Sequence, residues 1–380
     1  MPTNYDRVKN WFLNSGIIVT DNKNINYGAT YSFYDESNMI FSFLYPEITG
    51  YSASALSFLY KIEHNDNYLA IAKASSNWLI KLFDEHGGII HGIDNDINSK
   101  RKYNAYSFDT AICAKGLLDC YSITKESNLL EYSKKFIDWI FQSLDDDGTL
   151  MPFMDLEKKQ FLQSDDVWYK QKGCLHIKTV IPILKLYEIT NDNLYYEKAK
   201  LICDTYKKFQ QKDGSFKIHL DSKIVNLHTQ CYALEGLFYA YNITKNNDYL
   251  TSCKNSLDWC VTKISEDGSI PLWFNFKDKS KAIYPIAQII RLMILFDKLQ
   301  NSERYKLSIQ QLCQFMISLQ ANSLDKKIDG GFYEEFYKSL FGWKKRLKLN
   351  SWGSLFAIQA LYWYENYDNV DVQTMIYDIY

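Results

Sequence analysis

HTQCYALEGLFYAYNITKNNDYLTSCKNSLDWCVTKISEDGSI, residues 228–270, contains one complete repeat of the chain. Tyr232, Leu234, Leu237, Phe238 and Tyr241 recur at three- and four-residue steps, the spacing of one helix face. A short link of Thr, Asn and Asp follows, carrying the stop and N-cap signals that separate two helices. CKNSLDWCV then reads as a second helix with an aromatic apolar face, and SEDGSI as an acidic glycine turn.

The same order recurs along the chain. EHGGII (85–90), DDDGTL (145–150), QKDGSF (211–216) and KIDGGF (327–332) repeat the turn, and Gly88, Gly148, Gly214, Gly268 and Gly330 lie 60, 66, 54 and 62 residues apart. Two helices precede each turn. The first kind is apolar nearly all round, as in YSASALSFLY, AICAKGLLDCY, VIPILKLY, CYALEGLFYAY, IAQIIRLMILF and GSLFAIQALYWY. The second kind carries lysines and glutamates on one face. A helix covered on all sides has no polar face, whereas an outer one has. Six such pairs predict an all-α fold, an (α/α)6 toroid of six inner and six outer helices, with residues 1–380 as one domain. Inner helices are expected to start near 47, 109, 176, 229, 285 and 351. VKNWFLNSG at the N-terminus supplies the outer helix that completes the set. Gly116 and Gly236 inside inner helices read as points of close helix approach.

Composition narrows the function. The chain has 380 residues and a net charge of −2, with no basic excess to neutralise phosphates, so nucleic acid is not the expected partner. Thirty tyrosines against nine tryptophans suit walls that are both packed and wet. No run of 18 apolar residues predicts a membrane span, and the start lacks an apolar leader, so the expected location is cytoplasmic. The eight cysteines form no CxxC pair and read as reduced core residues. No metal and no cofactor is expected.

Aligning the inner helices on their aromatic ends places one set of polar residues at a common level, the first turns. There, free amide groups and the positive end of the helix dipole gather. Glu47, Asp109, His176 and His228 are the candidate catalytic residues, carboxyls for acid–base work and histidines for proton transfer. In a toroid they are expected to converge on one concavity. Gln230, Tyr232, Tyr51, Tyr106, Tyr284, Trp273, Asn350 and Trp352 are the candidate substrate contacts. Each has a plainer reading as well: Asp109 as a helix cap, Glu47 as a first-turn acid, the histidines and aromatics as core. His86, His91 and His219, on or beside glycine turns, are weaker candidates.

YPEITGYSASAL, SFDTAICAKGLLDCYSIT, HTQCYALEGLFYAY and GGFYEEF followed by NSWGSLFAIQAL resemble the six-hairpin α/α-toroid superfamily of carbohydrate-active enzymes, and within it uncharacterised proteins of bacterial surface-polysaccharide clusters. That resemblance implies a glycoside hydrolase, polysaccharide lyase or sugar epimerase acting on an oligosaccharide or polysaccharide precursor, in polysaccharide biosynthesis or tailoring, with glycan-assembly proteins as further partners. Two alternatives remain. One is a noncatalytic glycan-binding or scaffold toroid. The other is a terpenoid or prenyl-type enzyme, which shares the turn in FQQKDGSF but has a DxDD motif that this chain lacks.

Overall fold

Helices alternate along the chain as the repeat requires. The structure, a computed structural model, describes residues 2–94 and 99–380. In order, the α-helices are α1 (Asn4–Asn14), α2 (Pro46–Glu63), α3 (Asp66–His86), α4 (Ser107–Thr124), α5 (Ser127–Gln142), α6 (Val180–Thr190), α7 (Asn193–Lys207), α8 (Leu227–Thr244), α9 (Asn247–Val261), α10 (Ile283–Gln300), α11 (Lys306–Ser318), α12 (Ser351–Glu365) and α13 (Val372–Asp378). Even-numbered helices from α2 to α12 are buried on nearly every side, and α3, α5, α7, α9 and α11 on one face, the two kinds read from sequence.

By its internal packing the chain forms two compact units. The first comprises Met1–Ile17, Phe33–Phe41 and Lys207–Ile379; the second comprises Ile18–Ser32, Ser42–Tyr206 and Tyr380. In the second unit α2 packs on α3 and α4, and α4 on α5 and α6. Gly116 makes the α2–α4 approach possible, since a Cβ there would sit 2.6 Å from the Gly50 carbonyl oxygen. In the first unit α8 packs on α9 and α10, α10 on α11 and α12, and α12 on α1. Val8, Trp11 and Phe12 of α1 are fully buried, Trp11 Nε1 donates to the Lys327 carbonyl at 2.8 Å, and Arg7 pairs with Asp329 at 2.8 Å. The N-terminal segment therefore does serve as an outer helix.

The glycine turns interlock neighbouring hairpins. Gly148, Gly214, Gly268 and Gly330 all have positive φ. A Cβ on Gly214 would collide with the Asn255 carbonyl of α9, on Gly268 with that of Gln311 of α11, and on Gly330 with that of Arg7 of α1. Only glycine tolerates both the left-handed backbone and this approach. In the first turn the left-handed residue is Gly87, the C-cap of α3, rather than Gly88.

Three features depart from the expectation. Short strands join the loops ahead of inner helices: β1 (Phe33–Asp35), β2 (Ile40–Phe41), β3 (Asn104–Tyr106), β4 (Phe153–Asp155), β5 (Gln160–Leu162), β6 (Val225–Asn226), β7 (Trp273–Phe274), β8 (Lys281–Ala282), β9 (Glu335–Ser339), β10 (Gly342–Lys345) and β11 (Lys348–Asn350). They form antiparallel sheets in the orders β11-β1-β2, β10-β9-β8, β3-β4-β5 and β6-β7. Helix α13, capped by Asp371, packs on α8 and α10. Finally, residues 174–179 form a 3-10 helix, and α6 begins only at Val180. Pro182 explains this: an α-helix running back through 178 would set the proline ring against the residue-178 carbonyl.

Candidate functional site

Two clusters of buried polar side chains lie at first turns of inner helices, one in each unit. In the second unit Pro46 opens α2 and puts Glu47 on its first turn, and β3 leads into α4 with Asp109 on its first turn. Both carboxyls are buried, 8% and 5% exposed. Burial and the charge of Asp109 push Glu47 up to about 8, against the pull of Tyr45, His91 and Lys178. Burial raises Asp109 well above the carboxylate range, opposed only by its own backbone amide.

Facing Asp109 is His91. Its Nδ1 lies 3.6 Å from Asp109 Oδ2, too far for a hydrogen bond, and both atoms are buried without a hydrogen-bond partner. Burial, helped by Arg101 and Lys170, lowers His91 to about 4. Both shifts favour the uncharged forms, an imidazole beside a carboxyl rather than an ion pair. The ring of His91 stacks on Tyr169 at 5.8 Å and meets Tyr45 edge-on at 4.9 Å and Tyr106 at 5.2 Å. His91, Tyr106 and Tyr169 line a cleft of about 360 Å³ whose other walls are Asp94, Ser99, Lys100, Arg101, Asn104 and Lys170. Beneath the carboxyls, the Lys178 ammonium lies 4.7 Å above the Tyr51 ring.

In the first unit His228 stands on the first turn of α8, which Asn226 caps. Its Nδ1 meets Gln288 Oε1 at 2.6 Å, and Gln288 Nε2 donates onward to Glu235 Oε1 at 3.1 Å. That second bond fixes the Gln288 amide, so Nδ1 of His228 carries the proton and Nε2 is the acceptor. Glu235 pairs with Arg291, which also donates to Gln359 Oε1 at 2.8 Å. Tyr232 at 4.1 Å, Tyr284 at 4.5 Å and Phe356 at 6.3 Å wall the imidazole, and Trp352 lies 5.8 Å from Tyr284.

Four expected site residues take other places. His176 is fully buried with its ring against Tyr206 of α7, 5.8 Å away. At three residues per turn, positions 176 and 178 point to different sides of the 3-10 helix, so Lys178 takes the place toward Glu47 that His176 was expected to hold. Gln230 is scaffold: its Oε1 accepts from the Phe216 amide at 2.9 Å and its Nε2 reaches Cys260 Sγ at 3.3 Å, tying the glycine turn to α9. Asn350 caps α12 by accepting from Gly353 N at 2.7 Å, although its Nδ2 is buried without a partner. Trp273, half-buried on β7, rests on Phe276 at 5.1 Å. Among the described residues no group of three or more His, Cys, Asp or Glu is placed to hold a metal ion, and the eight cysteines are buried free thiols.

Comparison with known proteins fits this architecture. No protein-family model matches the chain, and no curated protein does. Solved structures match over nearly its whole length. A cellobiose 2-epimerase from Bacillus thermoamylovorans B4167 superposes with a TM-score of 0.73 at 15% identity, over 92% of this chain and 97% of its own. The fold is the six-hairpin α/α toroid. A D-mannose isomerase gives a TM-score of 0.74 at 12% identity, over 94% and 96%. An unsaturated glucuronyl hydrolase from Bacillus sp. GL1 gives 0.70 at 12% identity, over 95% and 97%. At such identities the toroid itself is what is shared. No helix of the toroid, among the described residues, is long and apolar enough to cross a membrane.

Proposed function

We propose that the chain is a glycan-modifying enzyme and that the Glu47–Asp109 pair performs its chemistry. The observation that carries this reading is two buried carboxyls, both raised, beside an aromatic-walled cleft. Such a pair retains a proton at neutral pH, which is what glycosidic cleavage requires: one carboxyl protonates the leaving oxygen while the other guides water or attacks. Asp109 is the acid, because no cation counters its rise. Glu47 is the base. Part of its rise comes from the charge of Asp109 and vanishes once Asp109 is protonated. His91 and Tyr106 hold sugar hydroxyls. The likeness to toroids named as a hydrolase, an epimerase and an isomerase supports an activity on carbohydrate. We place this activity in the cytoplasm, in making or tailoring a surface glycan alongside assembly proteins, with the whole chain as one domain.

A second reading rests on His228. An imidazole oriented through Nδ1 by Gln288 and walled by Tyr232 and Tyr284 suits abstraction of a proton beside a sugar carbonyl, the chemistry of epimerases and isomerases.

Purified protein incubated with neutral and uronate-terminated disaccharides distinguishes these by product analysis. Cleavage lost in D109N and E47Q but kept in H228A supports the carboxyl pair. Epimerised product lost in H228A supports the second reading. Binding without turnover on every sugar would make the protein a glycan-binding scaffold.

A further inference from the structure

FYKSLFGWKKRLKL, residues 336–349, carries five cations and no acid, in a chain whose 43 cations and 45 anions otherwise nearly balance. The stretch spans most of β9 and β10, paired antiparallel with Gly342 opposite Ser339 and Trp343 opposite Lys338. Its two-residue tip is therefore Leu340–Phe341. Such tips are normally polar or glycine-rich, because they lie in water. Here Leu340 is 99% and Phe341 89% exposed, and Trp343 is exposed beside them. Nothing in the fold explains two large apolar side chains at the outermost point of a hairpin.

The cations divide into two groups. At the base, Arg346 pairs with Glu335 at 2.7 Å, and Lys345 lies over the rings of Tyr333 and Phe336. At the tip, Lys338 and Lys344 are exposed, with the Lys344 ammonium 5.6 Å from the Phe341 ring. An apolar tip with a collar of lysines matches the interface of an anionic bilayer, where apolar groups sink to the headgroup–acyl boundary and cations stay among the phosphates. Charge decides against a second copy as the occupant. A two-fold contact through the tip would set the same acid-free stretch against itself.

We propose that the β9–β10 hairpin is a membrane-surface anchor, with Leu340 and Phe341 inserted at an anionic lipid interface and Lys338 and Lys344 over its phosphates. Co-sedimentation of the full chain with phosphatidylcholine vesicles, with and without phosphatidylserine, tests it. Binding is expected on the phosphatidylserine vesicles, falling steeply with salt. At about fivefold per cation, K338E/K344E is expected to weaken it by at least about 25-fold, and L340S/F341S to abolish it. Both variants change exposed side chains, so an unchanged melting temperature shows that they fold. Equal binding to both vesicle types, or full binding by K338E/K344E, overturns the proposal. So does a concentration-dependent dimer that L340S/F341S converts to monomer, which would make the hairpin a self-association surface.

Discussion

The two clusters at inner-helix first turns are built on opposite electrostatic plans. Around Glu47 and Asp109 the second unit buries two acids that are weakly countered: Tyr45, His91 and Lys178 pull on Glu47, which still rises to about 8, and only its own backbone amide pulls on Asp109. Around His228 the first unit buries an acid and a base together, Glu235 with Arg291, and runs hydrogen bonds outward from them to the imidazole. The first arrangement stores an unfavourable charge; the second spends charge on holding one ring in one tautomer. The difference teaches where to look for each kind of chemistry. Poised proton donors come from uncompensated burial, and oriented acceptors from compensated burial.

Substitutions that exchange these plans give the sharpest tests. The largest effect is expected from D109N, a loss of about a thousandfold or more in turnover with the melting temperature held, since the amide replaces a carboxyl whose neutral form burial already favours. Turnover assays with thermal melts check it, and an active D109N breaks the comparison outright. Next comes the pH dependence of stability. Glu47 is raised in the folded state, from 4.5 to about 8, so its contribution is fully present below pH 4.5 and is lost as pH rises through 8. At about 1.4 kcal/mol per pH unit that loss is on the order of 5 kcal/mol. Denaturant titrations at several pH values should show E47Q flattening this slope. Somewhat smaller, R291M is expected to cost about 3 kcal/mol by stranding Glu235, with E235L/R291M recovering most of it in urea unfolding. The smallest effect is that of Q288A, about 1–2 kcal/mol. Its real signature is spectroscopic: nitrogen NMR of His228 should change from one tautomer to a mixture.

Much of the architecture could be read from residue types alone, because the repeat has local causes. Four of the five glycine turns need a left-handed residue that also fits against the next outer helix, as Gly214 does against Asn255. No other residue meets both conditions, so the period is written as glycine. Glu47 and Asp109 were legible as first-turn acids of equivalent helices, one position apart in phase. His91 was legible only as a weaker candidate beside a glycine turn: it lies on a loop after α3, outside any helical period, and only the folded chain carries it to Asp109. His176 was placed on the first turn of an α-helix, whereas residues 174–179 form a 3-10 turn ahead of Pro182, and Lys178 went unread. Gln288 and Arg291 were hidden inside IAQIIRLMILF, taken as apolar. A charge within such a helix marks a buried network, and Arg291 was the signal to follow.

Helix α1 finds its partner very late in sequence: Arg7 and Asp329 are 322 residues apart. A ribosome adding about 5–20 residues per second needs roughly 15–60 s to cover that separation. Throughout this time Val8, Trp11 and Phe12 have none of the cover that α12 later provides. A nascent chain in that condition is a client for a holdase, and its yield in cells should depend on chaperone supply more than its final stability suggests.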